Sequence, residues 1–417
     1  MAMNGNRVNK EITPYLFGIE YKKYDFQECV KYFEKHRPNS GDGMGLCSEV
    51  RVGVNVGRNL DYYINGNAAA IIKVNKYLDS GVEAKIIKHS SIGVVGCCSD
   101  FTLELARSGV YDDIYRYLPC RTVDGINDCG VYVGVNVVPT GETVNPGKDY
   151  HYKEWGFGAA FTEATVENAP KYCTLYLTRY ILDNASTAKE AIDLIQQVRW
   201  YDPVKYPSDD QCQSFHWMIS DMKSNYIVEF IENKLRVLEA TGYDLSTPGL
   251  KTIMTNFNNV LFDQGVVQPH GSGYERYEIL CKNYGRLPIY ELMDLVLYSN
   301  TYTRSVDDEG FFASEYNELI PMEELYPHLV KSDKLKKIVT EANKTFNKWK
   351  ALPEEQKYTP EVQAKFGLWY TEHTSLYEIK SPYHLSVRMH EGFEDGDTHF
   401  YGFDFGVAFP DPLEGRN

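Results

Sequence analysis

The stretch Cys47-Ser48-Glu49-Val50-Arg51-Val52-Gly53-Val54-Asn55-Val56-Gly57-Arg58-Asn59-Leu60-Asp61 decides how this chain reads. Two short extended runs, residues 47–52 and 54–60, flank Gly53, and that pattern predicts a β-hairpin turning at the glycine. The hairpin opens with a cysteine and carries Arg58 and Asp61 on its returning strand. On spacing alone, an arginine and an aspartate three residues apart read first as an exposed ion pair.

Upstream, residues 1–46 have a different texture. Residues 21–36 predict a helix with Phe26, Val30, Tyr32 and Phe33 as its apolar stripe, and the polar, glycine-rich Asn39-Ser40-Gly41-Asp42-Gly43-Met44-Gly45 follows as a hinge. Residues 1–46 are therefore expected to be a leader, and 47–417 a single catalytic domain.

Downstream, 68–74 is expected to add a third strand to the hairpin, with further strands at 91–95 and 131–138, the last after a turn at 124–128. A helix is expected from about 170 to 183. A second starts at Thr187, with Glu190 three residues on to complete a capping box. A three-strand meander at 215–221, 226–231 and 235–240 leads to a strand at 252–256. A largely helical stretch follows, from 274 to about 346, and the C-terminus returns to strand. Strands, then helices, then strands imply an α+β fold with two antiparallel sheets between helix layers.

Composition narrows the function. In 417 residues, 58 aspartates and glutamates outnumber 43 lysines and arginines, and the net charge of −15 opposes a polyphosphate or an anionic membrane surface. With 43% hydrophobic and 24% charged residues, disorder as the main state is excluded. No apolar run reaches the roughly 18 residues of a spanning helix, and no secretory signal is legible, so a cytoplasmic address is expected. Nine cysteines without a CxxC pair argue against a disulfide framework and a zinc site; most are expected to be reduced and structural.

A cysteine nucleophile needs a base. His89, His216 and His373 lie in strand-like segments with no signature beside a cysteine, and they read as packing or hydrogen-bonding residues. A cysteine that begins a mature chain needs no histidine, because its own α-amine, with a reference pKa of about 7.7 to 8, accepts the thiol proton. Cys47, behind the hinge and at the start of a strand, fits that description.

Here the residues carry a resemblance. Cys47-Ser48-Glu49-Val50 and Gly57-Arg58-Asn59-Leu60-Asp61 are followed by Gly134-Val135-Asn136-Val137-Val138-Pro139, by Met254-Thr255-Asn256 and by Tyr274-Glu275-Arg276-Tyr277. In that order they resemble the linear amide C-N hydrolases: the choloylglycine (bile salt) hydrolases, penicillin V acylases and acid ceramidases, all N-terminal-nucleophile (Ntn) hydrolases. Residues 177–195 and 215–230 are similar to the helix pair and hairpin found between the motifs. Taken singly, Asn136 reads as a strand-end residue, Asn256 as a turn former, and Arg276 as part of a solvated helix face paired with Glu275 or Glu278. The shared order of five elements is what groups them.

The resemblance implies a four-layer αββα sandwich and a set of roles. Cys47 would be the nucleophile and its freed amine the general base. Asp61 would hold that amine, and Arg58 would lower the thiol pKa. Asn256 and Asn136 would form the oxyanion hole, and Arg276 would complete the polar cluster. Tyr62 and Tyr63 would wall an acyl pocket. The hairpin from Cys47 to Arg58 is shorter than in bile salt hydrolases, and the leader is longer than an initiator methionine. Together these imply a branch with propeptide cleavage, self-catalysed by attack of Cys47 on the Leu46 carbonyl. The expected activity is hydrolysis of an N-acyl amine or N-acyl amino acid, with a small-molecule acyl amide as partner, no cofactor or metal, no nucleic acid and no membrane insertion; a homo-oligomer is allowed. An acyltransferase using the same acyl-Cys47 intermediate, and an uncleaved ligand-binding relative, stand as the alternatives.

Overall fold

The computed structural model describes residues 7–13, 16–21, 24–36, 47–62, 69–76, 87–96, 118–138, 161–201, 214–231, 233–266, 269, 272–297, 351, 353, 370–390, 399–405, 407 and 409. Among these the chain forms β1 (Arg7–Thr13), β2 (Leu16–Tyr21) and α1 (Phe26–His36), then the hairpin β3 (Cys47–Val52) and β4 (Asn55–Tyr62). Gly53 takes φ +60 at that turn, a conformation that favours glycine. Next come β5 (Ala69–Val74), β6 (Ser91–Val95), β7 (Asp124–Asn127), β8 (Tyr132–Val138) and β9 (Lys171–Cys173). Helices α2 (Leu177–Asn184) and α3 (Ala188–Ile195) lead to β10 (Arg199–Tyr201) and the meander β11 (Ser214–Ser220), β12 (Ser224–Ile231) and β13 (Lys234–Thr241). After β14 (Ile253–Met254) come α4 (Asn259–Asp263), α5 (Ser272–Asn283) and α6 (Ile289–Asp294), and last β15 (Tyr370–Glu378), β16 (His384–Met389) and β17 (Tyr401–Asp404).

The strands make a nine-stranded sheet in the order β1-β2-β5-β6-β7-β8-β11-β12-β13 and a six-stranded sheet in the order β14-β3-β4-β15-β16-β17. Side chains alternate across each strand, and the alternation assigns every face. On β8, Val133, Val135 and Val137 point outward and pack with Leu177, Ile181, Ala188 and Ile192 of α2 and α3. On the six-stranded sheet, Val50 and Ile253 pack outward against Ile279, Leu280, Leu292 and Met293 of α5 and α6. Between the sheets, Val56, Tyr377, Leu385 and Phe403 from one meet Ile71, Ile92, Ile126 and Met218 from the other. Helices, sheet, sheet and helices make the expected four-layer αββα sandwich, with the nine-stranded sheet mixed and not purely antiparallel, since β2 runs parallel to β5.

Residues 7–36 are built into this body. Strand β2 pairs parallel with β5, and Phe26 and Cys29 of α1 are buried with Leu118, Cys120 and Tyr176. Cys29 and Cys120 are joined by a disulfide, while Cys47, Cys129, Cys173 and Cys281 are free. Cys97, Cys98 and Cys212 lie outside the described residues, as do the hinge and most of the stretch expected to be helical beyond residue 297.

Three local expectations are corrected. The helix expected from about 170 begins at Leu177, because residues 171–173 are drawn into parallel pairing with β10. The segment expected to turn at 124–128 is strand β7, and the turn comes at its end, where the Asn127 side-chain oxygen accepts from the backbone N–H groups of Cys129 and Val131. Strand β5 exists as expected but joins the sheet opposite the hairpin. The capping box at Thr187 forms: its hydroxyl accepts from Glu190 N at 3.0 Å, and the Glu190 carboxylate accepts from Ser186 N at 2.9 Å.

Candidate active site

Cys47 is the first residue of β3 and is fully buried. Because Val50 faces outward, Cys47 and Glu49 face the other sheet. Arg58 lies directly across from Glu49 in the β3–β4 register and shares that face. Its guanidinium is held on every side. Nε donates to Glu49 Oε1 at 3.0 Å, Nη1 to Asp124 Oδ2 at 2.7 Å and Nη2 to the Val135 carbonyl at 2.8 Å. The remaining approach of Nη2 is to Cys47 Sγ, 3.5 Å away. The two carboxylates come from opposite sheets, so the clamp closes only when the sheets pack. The Asp124 carboxylate also accepts from the Tyr377 hydroxyl. A side chain at Gly134 would run into the Tyr132 hydroxyl and the Glu49 carboxylate, which accounts for a glycine at that point of the β8 motif.

Asp61 projects to the outer face. Its Oδ2 accepts from Arg276 Nη1 at 3.1 Å and its Oδ1 from the Thr371 hydroxyl at 2.7 Å, and all three side chains are buried. Arg276, on α5, reaches over the end of the sheet. It donates to the Cys47 carbonyl at 2.8 Å, to Ser48 Oγ at 2.5 Å and to Asn256 Oδ1 at 2.5 Å. The backbone N–H of Cys47 donates to the same Asn256 oxygen at 2.9 Å. Sulfur, nitrogen and carbonyl oxygen of one cysteine are thus each engaged by a different side chain: Arg58, Asn256 and Arg276.

Asn256 is fixed from the other sheet. Its Nδ2 donates to the Val137 carbonyl at 2.6 Å. Asn136 Nδ2 lies 3.3 and 3.4 Å from the carbonyls of Met254 and Thr255, and His216 Nε2 lies 2.7 Å from the Thr255 carbonyl. His216 Nδ1 rests on Glu229 at 3.3 Å, and Glu229 also accepts from the first backbone N–H groups of α4. His373 is buried on Glu372 at 3.1 Å. These histidines pack and hydrogen-bond, as their sequence context implied.

Burial governs the ionisation. The Cys47 thiol is pushed up to about 12 by desolvation, against the downward pull of Arg58. Arg58 therefore favours the thiolate, as expected, but burial outweighs it and the sulfur keeps its proton at rest. Burial raises Asp61 to about 6 despite Arg276, and Glu49 to about 8 despite Arg58. Near neutral pH Asp61 beside Arg276 is therefore ionised and Glu49 beside Arg58 protonated.

Six residues named from sequence, Cys47, Arg58, Asp61, Asn136, Asn256 and Arg276, therefore lie in one hydrogen-bonded region. Tyr63 and the Tyr62 side chain lie outside the described residues. Sequence reading missed Glu49, Asp124, Ser48 and Thr371. Glu49 carried a signal, since it stands two residues beyond Cys47 and so shares its face.

Residues 155–275, a little under a third of the chain, match the profile of the linear amide C-N hydrolases, choloylglycine hydrolase family. The matched stretch contains Asn256, and Cys47 and Arg58 lie outside it. The profile is that of a family of hydrolases of linear amide C–N bonds, and the match agrees with the family resemblance read from the motifs, of which it spans Met254-Thr255-Asn256 whole. No curated protein matches the chain. Among solved structures, a point variant of the conjugated bile acid hydrolase from Clostridium perfringens is similar at 13% identity and TM-score 0.40, over 86% of this chain and 92% of that one. The penicillin V acylase from Agrobacterium tumefaciens is similar at 13% identity and TM-score 0.38, over 86% of each chain.

Proposed function

We propose that the protein is a cysteine-nucleophile amidase that cleaves the amide of an N-acyl amine or N-acyl amino acid after the Leu46–Cys47 bond has been cut. The observation that carries this reading is the separate engagement of sulfur, nitrogen and carbonyl of Cys47 by Arg58, Asn256 and Arg276. Such an arrangement fixes both the nucleophile and the nitrogen that becomes its base.

The freed amine takes the thiol proton as Sγ attacks the substrate carbonyl, and the developing thiolate faces Arg58. Asn256 donates to the oxyanion, and Asn136 supplies a second donor as the substrate oxygen competes with the backbone carbonyls it now touches. The amine then returns the proton to the leaving nitrogen, the C–N bond breaks, and acyl-Cys47 remains. Water, deprotonated by the same amine, releases the acid and restores the thiol. Asp61, buried against Arg276, keeps the charge around that amine balanced. Cleavage breaks only the Leu46–Cys47 peptide bond, and residues 7–36 stay on the body through strand pairing and the Cys29–Cys120 bridge. That bridge favours an oxidising compartment over the cytoplasmic address suggested by sequence.

The test is intact mass and activity together. After reduction the full chain should appear as two pieces divided before Cys47, and the protein should hydrolyse members of a panel of N-acyl amino acids. The Cys47→Ala variant should stay whole and inactive. A whole chain with full amidase activity would refute the proposal, and products that form only with an added amine acceptor would identify transfer instead of hydrolysis.

A further inference from the structure

At the opposite end of β7 from Asp124, His89 meets the adjacent pair Asp128 and Cys129, 39 and 40 positions further along the chain. We infer that His89, Asp128 and Cys129 form a binding site for one borderline divalent cation, Zn(II) being the best match. The site is independent of the amidase reading.

The donor atoms of the three residues all lie within 4.8 Å of one another. His89 Nδ1 is 2.9 Å from Asp128 Oδ1 and 3.4 Å from Cys129 Sγ. In a tetrahedral zinc site, bonds of about 2.0 Å to nitrogen or oxygen and about 2.3 Å to sulfur put neighbouring N and S about 3.5 Å apart, and N and O about 3.3 Å apart. The two histidine edges lie within a few tenths of an ångström of those values, and Asp128 and Cys129 close the triangle within 4.8 Å. Imidazole, carboxylate and thiolate are also the ligand set that such an ion selects.

The surroundings orient these donors. His89 Nε2 lies 3.1 Å from Ser186 Oγ, the outer hydrogen bond that fixes the ring of a ligating histidine. Asp128 Oδ2 accepts from Ser90 N at 3.1 Å and faces Lys76 Nζ at 3.0 Å, which leaves Oδ1 turned toward the imidazole. Lys76 also offsets part of the negative charge of the two anionic ligands. The turn bearing Asp128 and Cys129 is rigid. Asn127 accepts from Cys129 N and Val131 N and donates to the carbonyls of Leu182 and Ala185, and Gly130 takes φ +79. Cys129 is exposed, so an ion can enter from solvent and keep water as a fourth ligand.

On binding, the Cys129 thiol gives up its proton to solvent, and the imidazole carries its single proton on Nε2, donating to Ser186, so that Nδ1 is free to ligate. No electron changes hands. The ion would staple the residues just before β6 to the β7–β8 turn.

Cobalt(II) is the probe. The metal-free full chain with its Cys29–Cys120 bridge intact, carrying Cys47→Ala so that the active-site thiol cannot respond, is titrated with Co(II) and followed by absorption. One equivalent should produce a thiolate-to-cobalt charge-transfer band with tetrahedral d–d bands, and added Zn(II) should abolish both. Cys129→Ser should remove the charge-transfer band, and His89→Gln should weaken binding at least about ten-fold. Circular dichroism verifies that both variants fold. A band that survives in Cys129→Ser, or no saturable cobalt binding by the unmutated site, would overturn the inference.

Discussion

Arg58 and Asp61, three residues apart on β4, stand on opposite faces of the six-stranded sheet and meet different partners. Arg58 faces inward to Glu49, Asp124 and the sulfur of Cys47, whereas Asp61 faces outward to Arg276 and Thr371. The exposed ion pair that their spacing invites does not form, since an odd separation on a strand forbids a shared face. Cys47, at the strand's start, is served from both faces.

Asp124 should prove to be a positioning residue. It touches no reacting atom, but it fixes the guanidinium whose other nitrogen lies against Sγ. Asp124→Asn keeps the shape and removes the charge, leaving Arg58 with one fewer anion and freer to turn. We expect turnover to fall by about 10- to 100-fold with a small change in KM, and Asp124→Glu to recover part of the loss. The pH dependence of turnover checks this, since losing the Asp124 charge lowers Glu49 and the alkaline limb should move to lower pH. Reduced stability with an unaltered pH profile would make Asp124 merely structural.

Asn256→Ala removes one oriented donor and should cost turnover on the order of 10²-fold, about 2.7 kcal/mol, with a smaller effect on substrate binding. It should also slow cleavage before Cys47, because the same side-chain oxygen accepts from Cys47 N. Steady-state kinetics and a mass time course measure the two effects. A change confined to KM would place Asn256 on the ground state.

Much of this was legible because it is local. The hairpin about Gly53, the capping box at Thr187 and the meander each follow from patterns within a few residues. The ordered motifs carried the site because each sits where a strand or helix delivers it to one place. What was hidden is long-range. The β7 segment Asp124-Gly125-Ile126-Asn127 looks like a turn in isolation, and only pairing on both sides by β6 and β8 makes it a buried strand. Cys29 and Cys120, 91 positions apart, come together only through the packing of α1. Asp124 belongs to the site because the opposite sheet brings it there.

The leader's integration predicts its fate. After cleavage before Cys47, residues 1–46 should migrate with the body on non-reducing gels and separate under reducing, denaturing conditions, through Cys29–Cys120. A chain begun at Met-Cys47 would bare the β5 edge and the apolar side chains that pack with Phe26 and Tyr21. It should be markedly less stable or insoluble, even though its nucleophile is correctly exposed. A chain of that length as stable and active as the matured protein would show that these strands are dispensable.

Glu49 and Asp61 give the pH dependence its sign. Both are acids raised by burial above their ordinary values, 4.5 to about 8 and 3.8 to about 6, so in those ranges the folded protein binds protons that the unfolded chain has released. Their contribution to stability is fully present below about pH 4 and is lost as pH climbs toward 8. Activity follows a different rule. Below about pH 6, Asp61 takes a proton, Arg276 loses its anion and turnover should fall. Above about pH 8, Glu49 ionises beside Arg58 and draws on the positive charge that the thiolate needs, so turnover should fall again. Glu49→Gln is neutral throughout and mimics the protonated acid. It should match the parent near pH 7, remain active further into the alkaline range, and lose less stability between pH 6 and 9 in urea unfolding. If Glu49→Gln were inactive at pH 7, the ionised carboxylate would be the working form and the charge balance drawn around Arg58 would be wrong.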